Sequence, residues 1–290
     1  MIQLINACVS SVDESRGNSS NLLFSGQILP ERNAGLNGAP SLQLEPGKGC
    51  VAAVFDGRGD KGSKAAYVAA SAFRANAENL RTAEDLESLF AHIHGDLRAA
   101  VPQDAEAPAT AAVAACVNGD RLVLACLGGC RAYLVRDRAL YLLSRASAEV
   151  PPQTAPPAPN DGPLLGDQSV KPFTVRGALL PGDQLLLCTG WLPVALDARE
   201  MLRILVEAET PASALQQLSR RAGNSRGDIA AVLLKAEAAE EAPEEMPEEA
   251  PAEAEEPPEA PPVEDVPEES SVEEVLEEVL TEEFPEKPAE

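Results

Sequence analysis

Asp56 is the acid in this sequence whose surroundings best suit chemistry. Residues 51–55 (Val-Ala-Ala-Val-Phe) are small, β-branched or aromatic and predict a buried strand, and Gly57 and Gly59 predict a turn directly after it. Because glycine tolerates positive φ and close backbone approach, an acid in such a turn can hold a metal ion or face a phosphate. The alternative is an ordinary hairpin turn, since strands that end in Asp-Gly are common.

Four further stretches occur in the order and spacing of one protein family. They are residues 62–66 (Gly-Ser-Lys-Ala-Ala), 118–134, 181–192 and 227–232. Together with residues 55–60 they resemble motifs of the metal-dependent (PPM-type, type 2C) protein phosphatases. The most specific parts are Gly-Asp-Gln-Leu-Leu-Leu-Cys at 182–188, which is similar to the family's Gly-Asp-x-Leu-Leu-Leu-Cys, and Gly-Cys-Arg-Ala-Tyr-Leu at 129–134. The resemblance covers residues 1–235.

The resemblance implies an α+β fold. The expected architecture is a four-layer α-β-β-α sandwich of two antiparallel sheets flanked by helices, with the site at one end. The predicted elements agree with this architecture. Apolar residues recur at helical spacing over 64–79 and 82–97, which predicts two helices after the strand at 51–55. Thr82 and Asp85 predict a capping box, and Asn118-Gly119 indicates a type I′ hairpin.

The same resemblance implies two divalent cations, Mn²⁺ or Mg²⁺, that activate a water and are held by four aspartates and a glycine carbonyl. Carried onto this sequence, the four positions are Ser20, Asp56 with the carbonyl of Gly57, Gly190 and Asp228. Two of the four carboxylates remain. Two carboxylates facing two dications leave positive charge uncompensated, so the affinity for metal should fall sharply.

Other site positions depart from the family as well. Arg16 stands one residue away from the position of the family's phosphate-binding arginine, and Trp191 stands in place of a glycine. Asp13, Glu14 or Asp60 could restore metal binding if their loops bend inward.

The sequence therefore predicts a phosphatase-like domain that does not catalyse. We expect it to act as a regulatory or binding module in Ser/Thr phospho-signalling, with no cofactor. A divergent active metal-dependent protein Ser/Thr phosphatase, using Mn²⁺ or Mg²⁺, is one alternative. A scaffold that acts through its acidic tail is another.

Charge is concentrated at the C-terminus. The net charge is −24, and residues 236–290 contain 23 acids and one lysine. The body is almost neutral and has no broad basic surface, so nucleic acid is not an expected partner.

Residues 236–290 are dominated by Glu, Pro and Ala and are predicted to be disordered. Within them, residues 271–284 predict a short amphipathic helix that would bind a protein partner. Its apolar stripe consists of Val272, Val275, Leu276, Val279, Leu280 and Phe284. The alternative is a solvating tail whose periodicity is accidental. The degenerate cleft of the body is a second candidate surface for a protein partner.

Six cysteines lie mostly in apolar runs without a Cys-x-x-Cys pair, which indicates buried free thiols in a reducing compartment. His92 and His94 point to different faces of their helix and are expected at the surface. The sequence shows neither a signal segment nor a membrane-spanning run, so we expect a cytoplasmic protein without a membrane partner.

Overall fold

The computed structural model describes most of the region predicted to be folded. The described residues are 2–11, 20–24, 27–29, 41–45, 48–99, 107–144, 148–149, 162–167, 171–223 and 227–239. Arg16, Asp13, Glu14 and the stripe of the predicted helix at 271–284 lie outside them. All of the described residues belong to the first of two units, Met1–Glu241, and Ala242–Glu290 is the second.

Strands make up most of the described chain. They are β1 (Ile2–Ser11), β2 (Ser20–Phe24), β3 (Gln27–Leu29), β4 (Ser41–Gln43), β5 (Cys50–Arg58), β6 (Ala109–Asn118), β7 (Arg121–Leu127), β8 (Arg131–Arg136), β9 (Ala139–Leu142), β10 (Ala148–Glu149), β11 (Phe173–Ala178), β12 (Gln184–Cys188) and β13 (Ile229–Ala238).

Helices follow β5 and β12 in the chain. They are α1 (Gly62–Asn76), α2 (Ala83–Ala99), α3 (Leu192–Ala195), α4 (Ala198–Glu207) and α5 (Pro211–Ala222), with a 3₁₀ turn at Ala77–Asn79. The capping box predicted for α2 is confirmed. The N–H of Thr82 donates to the Asp85 carboxylate at 2.7 Å, and the N–H of Asp85 donates to the Thr82 hydroxyl at 3.2 Å.

The strands form two antiparallel sheets, which confirms the predicted fold class. A seven-stranded sheet has the order β10-β9-β8-β12-β13-β1-β4, and a six-stranded sheet has the order β11-β7-β6-β5-β2-β3. One apolar cluster joins their inner faces, with Val54 from the six-stranded sheet and Leu187 and Val232 from the seven-stranded sheet. The outer faces are covered by α1 and α2 on one sheet and by α4 and α5 on the other. The four layers follow from these contacts.

Strand β5 shows why its sequence reads as a continuous apolar run. Alternate residues such as Ala52 and Val54 point into the core between the sheets, and Ala53 and Phe55 point towards α1. A strand that is buried on both faces needs apolar residues at every position. The Phe55 ring lies 5.3 Å from the ring of Phe73 in α1, measured between centroids.

The hairpin between β6 and β7 uses a different turn from the one expected. Asn118 pairs with Arg121, so the turn residues are Gly119 and Asp120, and only the glycine has positive φ. This pattern is typical of a type II′ turn, and the type I′ prediction is wrong. The type I′ pattern occurs instead in the next hairpin, where Asp137 and Arg138 have φ of 50° and 61°.

The Gly-Asp pair at 182–183 has a structural role. The Asp183 carboxylate accepts hydrogen bonds from Nε of Arg136 at 2.9 Å and from the N–H of Leu180 at 2.7 Å. The backbone of the pair is bonded to Ala236 of β13 in both directions, at 2.8 and 2.9 Å. The motif therefore fixes the start of β12, at the end of the strand away from Cys188.

Strand β13 continues three residues beyond position 235, since Ala236–Ala238 pair with Leu4–Ile2 of β1. Within the described part of the chain, no helix combines the length and apolar composition that crossing a bilayer requires. The cytoplasmic location remains a prediction.

Candidate functional site

Asp56 and Gly57 lie near the end of β5, in the interior of the six-stranded sheet. Asp56 pairs with Ser20 of β2 on one side and with Ala111 of β6 on the other. Residues directly opposite each other in an antiparallel pair have Cβ atoms about 4.5–5.5 Å apart. The position that the resemblance gives to the first aspartate is thus adjacent to Asp56, and it is a serine.

The turn after Asp56 is held by two glycines in contact. A Cβ at Gly57 would lie 1.9 Å from the carbonyl oxygen of Gly62, the first residue of α1, and a Cβ at Gly62 would lie 2.5 Å from the carbonyl carbon of Gly57. The N–H of Gly62 also donates to the carbonyl of Gly59 at 3.0 Å. Gly57 therefore allows the end of β5 to touch the start of α1, which fixes the backbone that carries Asp56.

Asp228 lies directly before β13 in the seven-stranded sheet and is 5% exposed. Its carbonyl oxygen accepts a hydrogen bond from the Thr189 hydroxyl at 3.0 Å, and that hydroxyl accepts one from the N–H of Ala230 at 3.3 Å. The backbone of Asp228 is thereby tied to the end of β12. Gly190, at the position of the third aspartate, follows Thr189 and is buried.

Asp56 and Asp228 come from different sheets but belong to one end of the sandwich. Burial raises the pKa of the Cys130 thiol, and the negative charge of Asp56 raises it further. Cys130 directly precedes β8, and Cys188 ends β12. Asp56 of the six-stranded sheet therefore lies near this end of the seven-stranded sheet. The site is therefore built from the ends of β5 and β12 and the starts of β8 and β13.

The thiols at this end of the sandwich are buried, as the sequence predicted. Burial raises the pKa of Cys126 and of Cys188 to about 12. All six cysteines of the chain are free and buried. Because the thiolate is the nucleophilic form, these groups are unsuited to nucleophilic chemistry at neutral pH.

Arg131 belongs to the motif at residues 129–134, but no role at the site was predicted for it. It is 1% exposed, and its guanidinium donates to the carbonyls of Gly128 at 2.9 Å and Cys130 at 3.1 Å. Its positive charge lowers the pKa of the neighbouring thiols in opposition to burial. The available signal was its place as the one charged residue in the run 122–135, since an arginine there must be buried with partners or interrupt the strand.

Trp191 lies beside the segment that carries Asp228. A Cβ at Gly227 would lie 2.3, 2.3 and 2.5 Å from three adjacent atoms of the Trp191 indole, Cε2, Nε1 and Cδ2. Three nearly equal distances to adjacent ring atoms mean that Gly227 faces the plane of the indole. The sequence showed that Trp191 departs from the family but not what the ring covers.

The remaining expected residues do not complete a metal site among the described residues. Asp60 is exposed on the turn before α1. His92 is exposed as expected, whereas His94 is half-buried and its Nδ1 accepts a hydrogen bond from the N–H of Gly166 at 3.2 Å.

The described side chains include no group of three or more His, Cys, Asp or Glu placed to hold a metal ion. The described donors, Asp56, Asp228 and the carbonyl of Gly57, do not fit a site for two divalent cations, which prefer six or more oxygen ligands and several negative charges.

Comparison with known proteins finds similar structures but no similar sequences. No family model and no curated protein matches the sequence. The structure does match solved structures of bacterial PPM-type Ser/Thr phosphatases over most of its length, so the chain has the fold of these enzymes.

Three of the similar structures illustrate the likeness. A PstP catalytic domain in complex with two manganese ions is 19% identical, with a TM-score of 0.63, and the match covers 82% of this chain and 100% of that one. The PstP/Ppp phosphatase of Mycobacterium tuberculosis is 20% identical, with a TM-score of 0.59 and coverage of 81% and 100%. Stp1 of Staphylococcus aureus is 18% identical, with a TM-score of 0.61 and coverage of 79% and 94%.

Proposed function

We propose that this protein is a non-catalytic phosphatase-like module that binds a partner at the degenerate end of its sandwich. The observation that carries the proposal is the pairing of Asp56 with Ser20. The residue next to the retained carboxylate, at a position that the resemblance assigns to a metal ligand, is neutral. With Gly190 at the third position, two carboxylates remain for a chemistry that needs four.

Electrostatics argue against a pair of cations in this arrangement. Asp56 and Asp228 supply two negative charges against four positive charges of two dications, and the buried guanidinium of Arg131 adds a further positive charge nearby. Water can fill empty coordination positions but cannot supply the missing charge. If one Mn²⁺ or Mg²⁺ ion were bound, Asp56, Asp228 and the carbonyl of Gly57 would hold it, and it would polarise water.

The surface beside Asp56 favours an anionic partner. Arg58, Lys61 and Lys64 are exposed on and after the turn that follows Asp56, with Asp60 as the acid among them. Helix α1 begins at this turn without an acidic residue in its first turn. A phosphorylated Ser or Thr segment is the class of ligand that such a surface would attract, because phosphate carries close to two negative charges at neutral pH.

The second candidate function is a divergent active phosphatase, and the fold shared with a manganese-bound PstP domain is the observation that favours it. An active site would need Asp60, or else Asp13 or Glu14, both of which lie outside the described residues, to supply the missing ligands. Binding of a protein through the helix predicted at 271–284 remains a separate proposal about the tail.

The deciding experiment is a calorimetric titration of the full chain with MnCl₂, run beside hydrolysis of para-nitrophenyl phosphate. We expect no saturable manganese binding up to millimolar concentrations and no turnover above the Asp56→Asn variant. Binding and turnover that both disappear in Asp56→Asn would replace this proposal with an active phosphatase.

A further inference from the structure

Trp191 is held firmly where it lies. It is the residue before α3, and its partly buried side chain packs against the apolar cluster between the seven-stranded sheet and helices α4 and α5. The N–H groups of Leu192 and Ala195 are bonded to the carbonyls of Thr189 and Trp191, which makes the turn rigid. The indole is therefore fixed by packing on one side and by the Gly227 backbone on the other.

The contact between Trp191 and Gly227 leaves no room for a side chain at position 227. Van der Waals contact between carbon atoms needs about 3.5–4.0 Å, and a Cβ there would lie at 2.3 Å from the ring. The next residue is Asp228, whose exposed fraction is 5%. An apolar ring thus lies against the backbone directly before this buried residue.

The resemblance assigns its fourth metal-ligating position to Asp228. The indole of Trp191 lies against the backbone of Gly227, directly before that position.

We infer that Trp191 closes the half of the site that contains Asp228, and that it determines what can reach this carboxylate. A hydrated divalent cation needs an open, polar approach to a carboxylate and gives up its water reluctantly. The indole offers it an apolar surface instead. The entry to the site is thereby confined to the side of Asp56, where the exposed basic residues Arg58 and Lys61 lie.

This inference deepens the proposed function, because it names the residue that turns a cation site into a surface for an anionic partner. It also rests on contacts that exist whether or not the protein binds metal. The two ideas can therefore fail separately.

The test measures how fast the Asp228 carboxylate of the full chain couples to an amine in the presence of a carbodiimide. Trypsin releases residues 227–235, in which Asp228 is the only acid, and residues 75–81, in which exposed Glu78 is the only acid. Mass spectrometry of the two peptides gives the coupling rate of Asp228 and, as an internal reference, that of Glu78. We expect Asp228 to couple about tenfold more slowly than Glu78. A buried carboxylate reacts with the reagent only while a local opening of the structure exposes it.

Two variants approach the contact from its two sides. Trp191→Gly removes the indole and should raise the coupling rate of Asp228 towards that of Glu78, whereas Trp191→Phe, which keeps an aromatic cover, should leave it low. Gly227→Ala places a methyl group where the indole lies. The ring must then move away, which should also raise the coupling rate of Asp228. Because Trp191 is the only tryptophan, its emission should also shift to longer wavelength in Gly227→Ala.

Gly177→Ala is the matched control, because a Cβ there meets no atom within 4 Å, and it should change neither readout. The inference is overturned if Asp228 of the unmodified chain couples as fast as Glu78. It is also overturned if both Trp191→Gly and Gly227→Ala leave the rate of Asp228 unchanged. Neither readout requires manganese, so the manganese titration remains an independent test of the proposed function.

Discussion

Restoring an acid at position 20 is the most informative perturbation of the site. Ser20 pairs directly with Asp56, so Ser20→Asp would place two carboxylates opposite each other. At about 5 Å and an effective dielectric constant of about 20, two like charges repel by roughly 3 kcal/mol. Asp56 is half-buried, and screening by water reduces this figure, so we expect a loss of about 1–2 kcal/mol without metal.

The same reasoning predicts that manganese reverses the loss. A third carboxylate beside Asp56 and Asp228 gives a cation the charge that the unmodified site lacks. A ligand that binds only the folded state stabilises it by about 2.7 kcal/mol at one hundred times its dissociation constant. Manganese should therefore return the melting temperature of Ser20→Asp to that of the unmodified chain or above.

The assay is thermal unfolding of the full chain in EDTA and in MnCl₂. One kcal/mol corresponds to about 2–4 °C for a domain of this size, so the expected changes are measurable. Ser20→Asn is the matched control, because it has nearly the same shape without the charge, and it should show neither the loss nor the response to manganese. The reasoning is refuted if Ser20→Asp and Ser20→Asn melt together in EDTA, or if manganese leaves Ser20→Asp unchanged.

Three further predictions concern the stability of the fold. Gly57→Ala should lower the free energy of unfolding by about 3 kcal/mol or more, because its Cβ would lie 1.9 Å from a backbone oxygen. Gly95→Ala should raise it by about 0.5–1 kcal/mol, because Gly95 lies in a helix and a Cβ there meets no atom within 4 Å. Urea unfolding measures both changes. Asp183→Ala should cost about 3 kcal/mol in the same assay, since it leaves the partly buried Arg136 without its carboxylate. Burial lowers the pKa of His94, so the folded state favours the neutral ring, and stability should fall as pH drops below about 6.5, less so in His94→Gln.

Each of these predictions has an outcome that contradicts it. Equal unfolding midpoints for Gly57→Ala and Gly95→Ala would mean that the strand and helix do not meet as described. An Asp183→Ala or Asp183→Asn variant as stable as the unmodified chain would show that the charge pair contributes little. For the pH effect, His92→Gln is the control because His92 is exposed, and the same change of slope in both variants would rule out the bond between His94 and Gly166 as its cause.

The strands and the capped helix could be predicted from the sequence because local signals determine them. The apolar run before Asp56 requires a strand buried on both faces, and Thr82 with Asp85 marks a helix start that the structure confirms. The hairpin type could not be predicted. Asn118-Gly119 favours a type I′ turn locally, but Asn118 stays in the strand because its pairing with Arg121 extends the β6–β7 ladder by one more pair.

The site could be predicted only in part, because its contacts join segments that are far apart in the chain. The resemblance indicated Asp56 and Asp228, but the burial of Arg131 and the ring over Gly227 depend on how the two sheets and α3 come together. Spacing along the sequence does not show that Trp191 packs on Gly227 or that Arg131 is buried. The glycine at 227 looks like a flexible linker position until the indole is placed on it.

The residues that stabilise the sandwich are largely separate from the carboxylates that the resemblance assigns to metal. Asp183 and Arg136 fix the start of β12 at the end away from the site, and the apolar clusters on both sheets contain no ligand position. The site-end contacts that do matter for the fold, Gly57 with Gly62 and Trp191 with Gly227, are made by backbone and an apolar ring. Without a cation, a second carboxylate beside Asp56 would only repel it, so a serine at position 20 stabilises the metal-free state. A sequence free of the need to bind metal can therefore lose its ligands without losing its fold, and it gains stability at the positions where like charges would have faced each other.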